Sequence, residues 1–342
     1  MKKLYLLSLL SAMAHSQVLT SLEQNQHVFL TPGVYTVSST ITVGTNASIQ
    51  CDPAGNASGP GMGTCIIQPS NPNISPLIAL TGTNSVLRDV TVDGADVSTG
   101  PNILITGVRA QLGHITSERA GTYGIYIDGG STNGAAVAEL SQVMALSNGS
   151  DGIRCANASD IYIDNGSQVE NNRGNGVTLI NCGSAHVMGN DISGNSLDGL
   201  LIAGVSTAHV SAYNNMIEGN TLSQNGQNDV EIRGWDFQRQ TYVSLSNIIS
   251  GNVFQGSSLH TSPANAWDAI LIQDSGYNVV TGNVIQDPFG PATQFRAGIE
   301  ISTSGHELGD VVTSNNVQTT GIPVIPYANT AFKTNVLNGT PQ

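Results

Sequence analysis

From residue 124 onward, short apolar runs alternate with polar positions at a period of two, and Asn, Gly or Asp closes each run. One phrase keeps returning in this pattern: GIYI, GIRC, GVTL, GLLI, DVEI, AILI and GIEI, beginning at Gly124, Gly152, Gly176, Gly199, Asp229, Ala269 and Gly298. A second, Asn-x-apolar, follows the later copies at Asn190, Asn215, Asn252, Asn283 and Asn315. The shortest intervals between copies of the first phrase are 24 and 23 residues. A βαβ unit needs roughly 30 residues or more, so no crossover helix fits. Two or three short strands per repeat instead make one coil of a parallel β-helix, with successive coils ~4.8 Å apart. The period predicts that Ile125 and Ile127, Ile153 and Cys155, Val177 and Leu179, and Val230 and Ile232 point inward and stack. The recurring asparagines are expected to stack at one turn as an internal hydrogen-bonded ladder.

These repeats resemble the pectin-lyase-like superfamily of right-handed parallel β-helices. VFLTPGVYTVSSTITVGTNASIQC is similar to its capping region, SVLRDVTVDGAD to its first full coil, and GNDISGN and GNVIQDP to its generic repeats, as in NosD-like periplasmic proteins. The resemblance implies an all-β chain forming a single right-handed parallel β-helix of about nine to ten coils with an N-terminal cap. The corresponding division is 1–14 signal peptide, 15–75 capping region and first strands, 76–325 β-helix and 326–342 tail. It implies no single activity, because this scaffold carries lyases, hydrolases, epimerases and non-enzymatic tailspikes. The Asn-Thr-Asp, Asp-Asp and Gly-His-Gly series of polygalacturonases is missing, as are the Arg-x-Pro-x-x-Arg of pectate lyases and the Asp-Pro-His-Asp of mannuronan epimerases.

Aligning the phrases locates where the repeat lengthens. From strand phrase to asparagine there are 14 residues (Gly176 to Asn190), 16 (Gly199 to Asn215) and 23 (Asp229 to Asn252). From asparagine to the next phrase there are 9 (Asn190 to Gly199), then 14, 17 and 15, the additions being TLSQNGQN, GSSLHTSPANAWD and DPFGPATQFRA. Loops therefore flank one strand column in the coils beginning at 229, 269 and 298, and a groove is expected there. One wall carries Trp235, Asp236, Phe237 and Arg239; the other carries His260, Trp267, Asp268, Phe289 and Arg296. If Val230 and Ile232 face inward, Asp229, Glu231 and Arg233 face outward as floor, followed by Leu271 and Gln273, then Glu300 and Ser302. The bland reading is that these charges are solvated surface pairs worth ~0–1 kcal/mol each and that Trp235 merely packs over a neighbouring coil. Asp151, Arg154 and Asp128 read as such a surface pair rather than a second site.

The residue mix of the groove suits a saccharide, and three readings compete. Hydrolysis would use two carboxyl groups; Glu231 and Glu300 lie two coils apart, ~9.6 Å between backbones, near the ~6.5–9.5 Å carboxyl separation of inverting enzymes. Asp229, Asp236 or Asp268 would also serve as either carboxyl. Elimination on a uronic acid, or its C5 epimerisation, would need a base such as His260 or Tyr242, with Arg233, Arg239, Arg296 or bound calcium against the carboxylate. The third reading is a secreted binding or structural protein with no chemistry. Trp235, Asp236, Arg239, Trp267, Asp268, Gln273 and Arg296 are the candidate substrate contacts in the first two.

Composition narrows the partners. The start MKKLYLLSLLSAMA has the basic head, apolar run and small-residue end of a secretory signal peptide, and no stretch reaches the ~20 apolar residues of a membrane span. Without Lys2 and Lys3, nine basic residues face 24 acidic ones, which argues against nucleic acid or an anionic membrane. No spacing suggests a metal site of His and Cys. Cys51 and Cys65 bracket a Gly/Pro-rich loop and are expected to be bridged in an oxidising compartment. Cys155 and Cys182 are expected to stay unbridged. Cys182 lies one coil up and three residues along, and at ~3.3 Å per extended residue that exceeds the ~7 Å Cα limit unless the turn folds back.

Overall fold

A computed structural model describes residues 21–341 apart from 53–64, 131–136, 205–211, 237–240, 257–266, 288–294, 303–308, 320, 327–329 and 339. Among the described residues every regular element is a strand, and no helix is long and apolar enough to cross a membrane. Three parallel sheets of 12, 13 and 11 strands run the length of the molecule, and each coil gives one strand to each sheet in turn. In one coil, for example, these are Ile161–Asp164, Gln168–Glu170 and Val177–Ile180. The sheets enclose a continuous core. Ile125, Ile153, Val177, Leu200, Val230, Ile270 and Ile299 stand in register, one per coil, all fully buried.

The stack is longer than nine to ten coils. His27–Leu30, Gly33–Val37 and Ile41–Val43 already pair with the strands of the next coil, so coils precede SVLRDVTVDGAD. These coils lack the glycine phrase, which is why the repeat count passed over them. Past residue 325, Ala331–Lys333 and Val336–Leu337 extend two of the sheets.

Asparagine ladders run inside the coils, but in more than one column. Asn190, Asn220, Asn252, Asn283, Asn315 and Asn335 form one, each side-chain amide donating to the next at 2.9–3.1 Å. Asn215 belongs to another, with Asn247, Asn278 and Asp310. A third links Asn148, Asn172, Asn195 and Asn225. The alignment of Asn215 with Asn190 is therefore five residues out, because NNMIEGN holds an asparagine of each column. Counted to Asn220, the interval from Gly199 is 21 residues and that from Asn220 to Asp229 is 9, the same as from Asn190 to Gly199. TLSQNGQN is thus ordinary coil, and lengthening on the first wall starts one coil earlier, between Leu200–Ala203 and Ala212–Tyr213.

The ladders also explain the glycines. A Cβ on Gly199 would stand 2.7 Å from the Asn225 amide nitrogen and 2.6 Å from the Asp229 carbonyl oxygen, so any side chain would collide with the ladder and the next coil.

Both cysteine pairs are bridged. Cys51–Cys65 has a Cα separation of 5.8 Å, as expected. Cys155–Cys182, expected to be unbridged, is bonded with a Cα separation of 6.4 Å. The extended-chain distance fails because Asn181 turns the backbone through a left-handed conformation (φ 52°). Cys182 then points back into the core, fully buried, above Cys155.

Candidate functional site

The outward column of the eleven-strand sheet follows the predicted register: Tyr126, Arg154, Thr178, Leu201, Glu231, Leu271 and Glu300. One column away, just before each glycine phrase, lies a line of small polar residues: Asp151, Asn175, Asp198, Asn228 and Asp268. Each side-chain oxygen accepts the backbone N–H of the next member at 2.8–3.0 Å, ending on Ala297 at 2.9 Å. Packed between the coils, these side chains are nearly excluded from water. Where this line meets the Glu column, carboxyl groups come together in pairs.

The first pair is Asp198 with Glu231. The Asn228 amide donates to both, to Asp198 Oδ1 at 3.3 Å and to Glu231 Oε2 at 3.2 Å. Arg233 closes on Glu231 in a two-pronged grip, Nη2 to Oε2 at 3.0 Å and Nε to Oε1. Glu231 is 2% exposed although its column faces outward, because Arg233 lies over it with its own side chain 55% exposed. Burial, and then the neighbouring Glu231 charge, push the Asp198 carboxyl well above the usual aspartate range. Sequence reasoning passed over Asp198 and Asn228. The signal was present in SDGIRC, GNGVTL, LDGLLI, NDVEI and WDAILI, whose first phrase-preceding position is Asp or Asn each time.

The second pair, two coils further on, is Asp268 with Glu300. Arg296 grips Asp268, Nε to Oδ1 at 3.0 Å and Nη2 to Oδ2 at 2.6 Å, and its Nη2 also meets Glu300 Oε2. Burial and the Asp268 charge raise the Glu300 pKa, against a smaller lowering by Arg296. At 9% exposure Glu300 is the most accessible carboxyl of the four. Glu231 and Glu300 flank Leu271 in register, so their backbones are two coil spacings apart, ~9.6 Å.

Other candidates fall elsewhere. Asp229 is not part of the floor. It takes the glycine column and is fully buried, and its carboxylate accepts from the Asn225 amide at 2.8 Å, closing that ladder from inside. Gln273 is exposed, in register between Arg233 and Ser302. Trp267 is half-buried, and its carbonyl accepts the Arg296 N–H at 2.7 Å, which sets it beside the second pair. Trp235–Asp236 forms an antiparallel hairpin with Thr241–Tyr242, and Ala212–Tyr213 pairs with Ser244–Leu245, so extra strands do stand at one corner of these coils. Arg239, Phe237, His260 and Phe289 lie outside the described residues. Arg154 meets Asp151 at 3.1 Å and lies over the Tyr123 ring; the ion pair is there, but Asp151 is buried rather than solvated as the surface reading expected.

Calcium does not fit these carboxyls. Their oxygens face guanidinium and amide N–H groups, whereas calcium needs a shell of free oxygens. Among the described residues no group of three or more His, Cys, Asp or Glu is arranged to hold a metal ion.

A sequence profile described as "Right handed beta helix region" matches residues 79–267, more than half of the chain. No protein of curated function matches significantly in sequence. Solved structures match in fold. The A-module of mannuronan C-5 epimerase AlgE4 from Azotobacter vinelandii superposes with a TM-score of 0.65 at 14% identity, over 90% of this chain and 91% of that one. The enzymatically active domain of tailspike protein 2 from bacteriophage CBA120 gives 0.66 at 15% identity, over 92% of this chain but only 48% of that one. The N-terminal fragment of gene product 12 from bacteriophage Phi29 gives 0.63 at 15% identity, over 91% of this chain and 62% of that one.

Proposed function

The chain belongs to the family of right-handed β-helix proteins, and on that footing we propose that it is an exported protein that cleaves a polysaccharide over the coils from Asp198 to Glu300. The observation that carries the reading is Glu300: the least buried of the four carboxyls, with its pKa raised by burial and by Asp268, beside the Arg296 guanidinium. A carboxyl that holds its proton to higher pH than a free one is suited to protonate a leaving glycosidic oxygen. Glu231, two coils away behind Arg233, is the carboxylate to activate water on the opposite face of the sugar. Trp267 and Gln273 border the same ground and would contact the chain of sugars. Export is supported by the N-terminal pattern and by two disulfides, which persist in oxidising compartments. The fold neighbours lend the architecture; one is a mannuronan C-5 epimerase and another an enzymatically active tailspike domain.

Elimination on a uronic acid is the second reading, favoured by one feature: Arg233 and Arg296 have side chains 55% and 42% exposed, open to a substrate carboxylate. Incubation with a panel of neutral glycans and polyuronates separates the cases. New reducing ends without new ultraviolet absorbance are expected. Absorbance of an unsaturated uronate would instead mark elimination, and intact glycans throughout would mark a binding protein. For hydrolysis, the rate should fall on the alkaline side as pH rises through the raised Glu300 pKa, since the donor is then ionised.

A further inference from the structure

Within the proposed groove, Glu231 is surrounded by donors: two from Arg233 and one from the Asn228 amide. Glu231 is thus already the acceptor of three hydrogen bonds. Asp198 also hydrogen-bonds Glu231, and a bond between two carboxyl groups requires a proton on one of them. Among the described residues, the N–H groups that reach Asp198 are the Asn228 backbone and amide, both on Oδ1. The proton therefore belongs on Asp198.

We propose that Asp198 is a positioning residue, held as the neutral acid, whose O–H donates to Glu231 and fixes Glu231 and the Arg233 fork in one arrangement facing the groove. The proposal rests on the saccharide-cleaving reading for its effect on rate, but not for its effect on structure. The charged groups facing Asp198 are Glu231 and Arg233, both from the following coil. The coil beneath contributes the uncharged Asn175, whose Oδ1 accepts the Asp198 N–H at 3.0 Å. The other members of this line at the adjacent levels are Asn175 and Asn228, so an asparagine fits the ladder at 198. Its amide would donate to Glu231 as the carboxylic acid does, without being able to ionise.

The sign follows from linkage. The folded-state pKa of Asp198 is raised, so its proton contributes stability that is fully present below the ordinary aspartate value of ~3.9 and is lost as pH rises through the raised value. Asp198→Asn removes that loss. Thermal unfolding of the full-length protein and of Asp198→Asn, followed from acid to about pH 8, is expected to show the variant gaining on the parent with rising pH, to a Tm higher by about 2–4 °C. Asp198→Ala, which cannot donate, should lie below the parent throughout. A parent-minus-variant difference that stays constant with pH would overturn the proposal, as would Asp198→Asn falling as low as Asp198→Ala. These readouts need no substrate, so they stand or fall separately from the proposed activity. On a substrate, Asp198→Asn should keep turnover within about tenfold of the parent and lose the parent's decline from Asp198 ionisation. A loss of ~10²–10⁴ at every pH would make Asp198 itself an essential acid and overturn the positioning role.

Discussion

Glu231 is gripped by one arginine and one asparagine and shielded from water, so its charge has a structural task as well as a chemical one. Replacing it with Gln keeps the shape but removes the acceptor that Arg233 holds with two prongs. From its outward position alone, the sequence suggests that this substitution leaves folding intact. From its contacts, it should cost about 1–3 kcal/mol, less than a wholly buried ion pair because the Arg233 guanidinium can turn to water. Urea denaturation of Glu231→Gln measures this, and an unchanged midpoint would mean that the Arg233 grip contributes nothing. The outward column itself was legible, since strand period fixed Glu231, Leu271 and Glu300 in one line. What hid the partner of Glu231 is that Asp198 lies 33 residues back in the chain and one coil away, a contact made by stacking and not by any local pattern.

Strands here are two to six residues long, too short to be stable singly. Stacking supplies what they lack: ladder hydrogen bonds on both edges, apolar columns inside, and asparagine columns at the turns. The period and the β-branched runs revealed these strands. The turns did not follow so well, because an asparagine at a corner looks alike in every column, and Asn215 was placed with Asn190 for that reason. Cys182 shows the same limit. Its distance from Cys155 depends on the left-handed backbone at Asn181, which extended geometry cannot anticipate. Since the bridge joins successive coils across 27 residues, replacing both cysteines with Ala should cost about 2–4 kcal/mol by the chain-entropy account. Non-reducing peptide mapping should recover both crosslinks and no free thiol; a free Cys155 would refute the bridge.

Taken whole, the molecule is a rod of stacked coils. Among the described residues, strands outside the three long sheets stand only in the coils from Ala212 onward. The same coils hold both carboxyl pairs and the guanidiniums of Arg233 and Arg296. A solvated surface pair would leave its carboxylates in water, whereas here four carboxyls are sunk between coils and two guanidiniums cover them. The central claim is that this stretch carries out acid-assisted cleavage with Glu300 as proton donor. It is tested most directly by the initial rate of Glu300→Gln on whichever glycan of the panel the parent turns over, measured beside Arg154→Ala in an uninterrupted coil. Glu300→Gln should lose ~10²–10⁴ in turnover with its unfolding midpoint little changed, while Arg154→Ala keeps the parent's rate. A Glu300→Gln protein as fast as the parent, or an Arg154→Ala protein equally impaired, would contradict it.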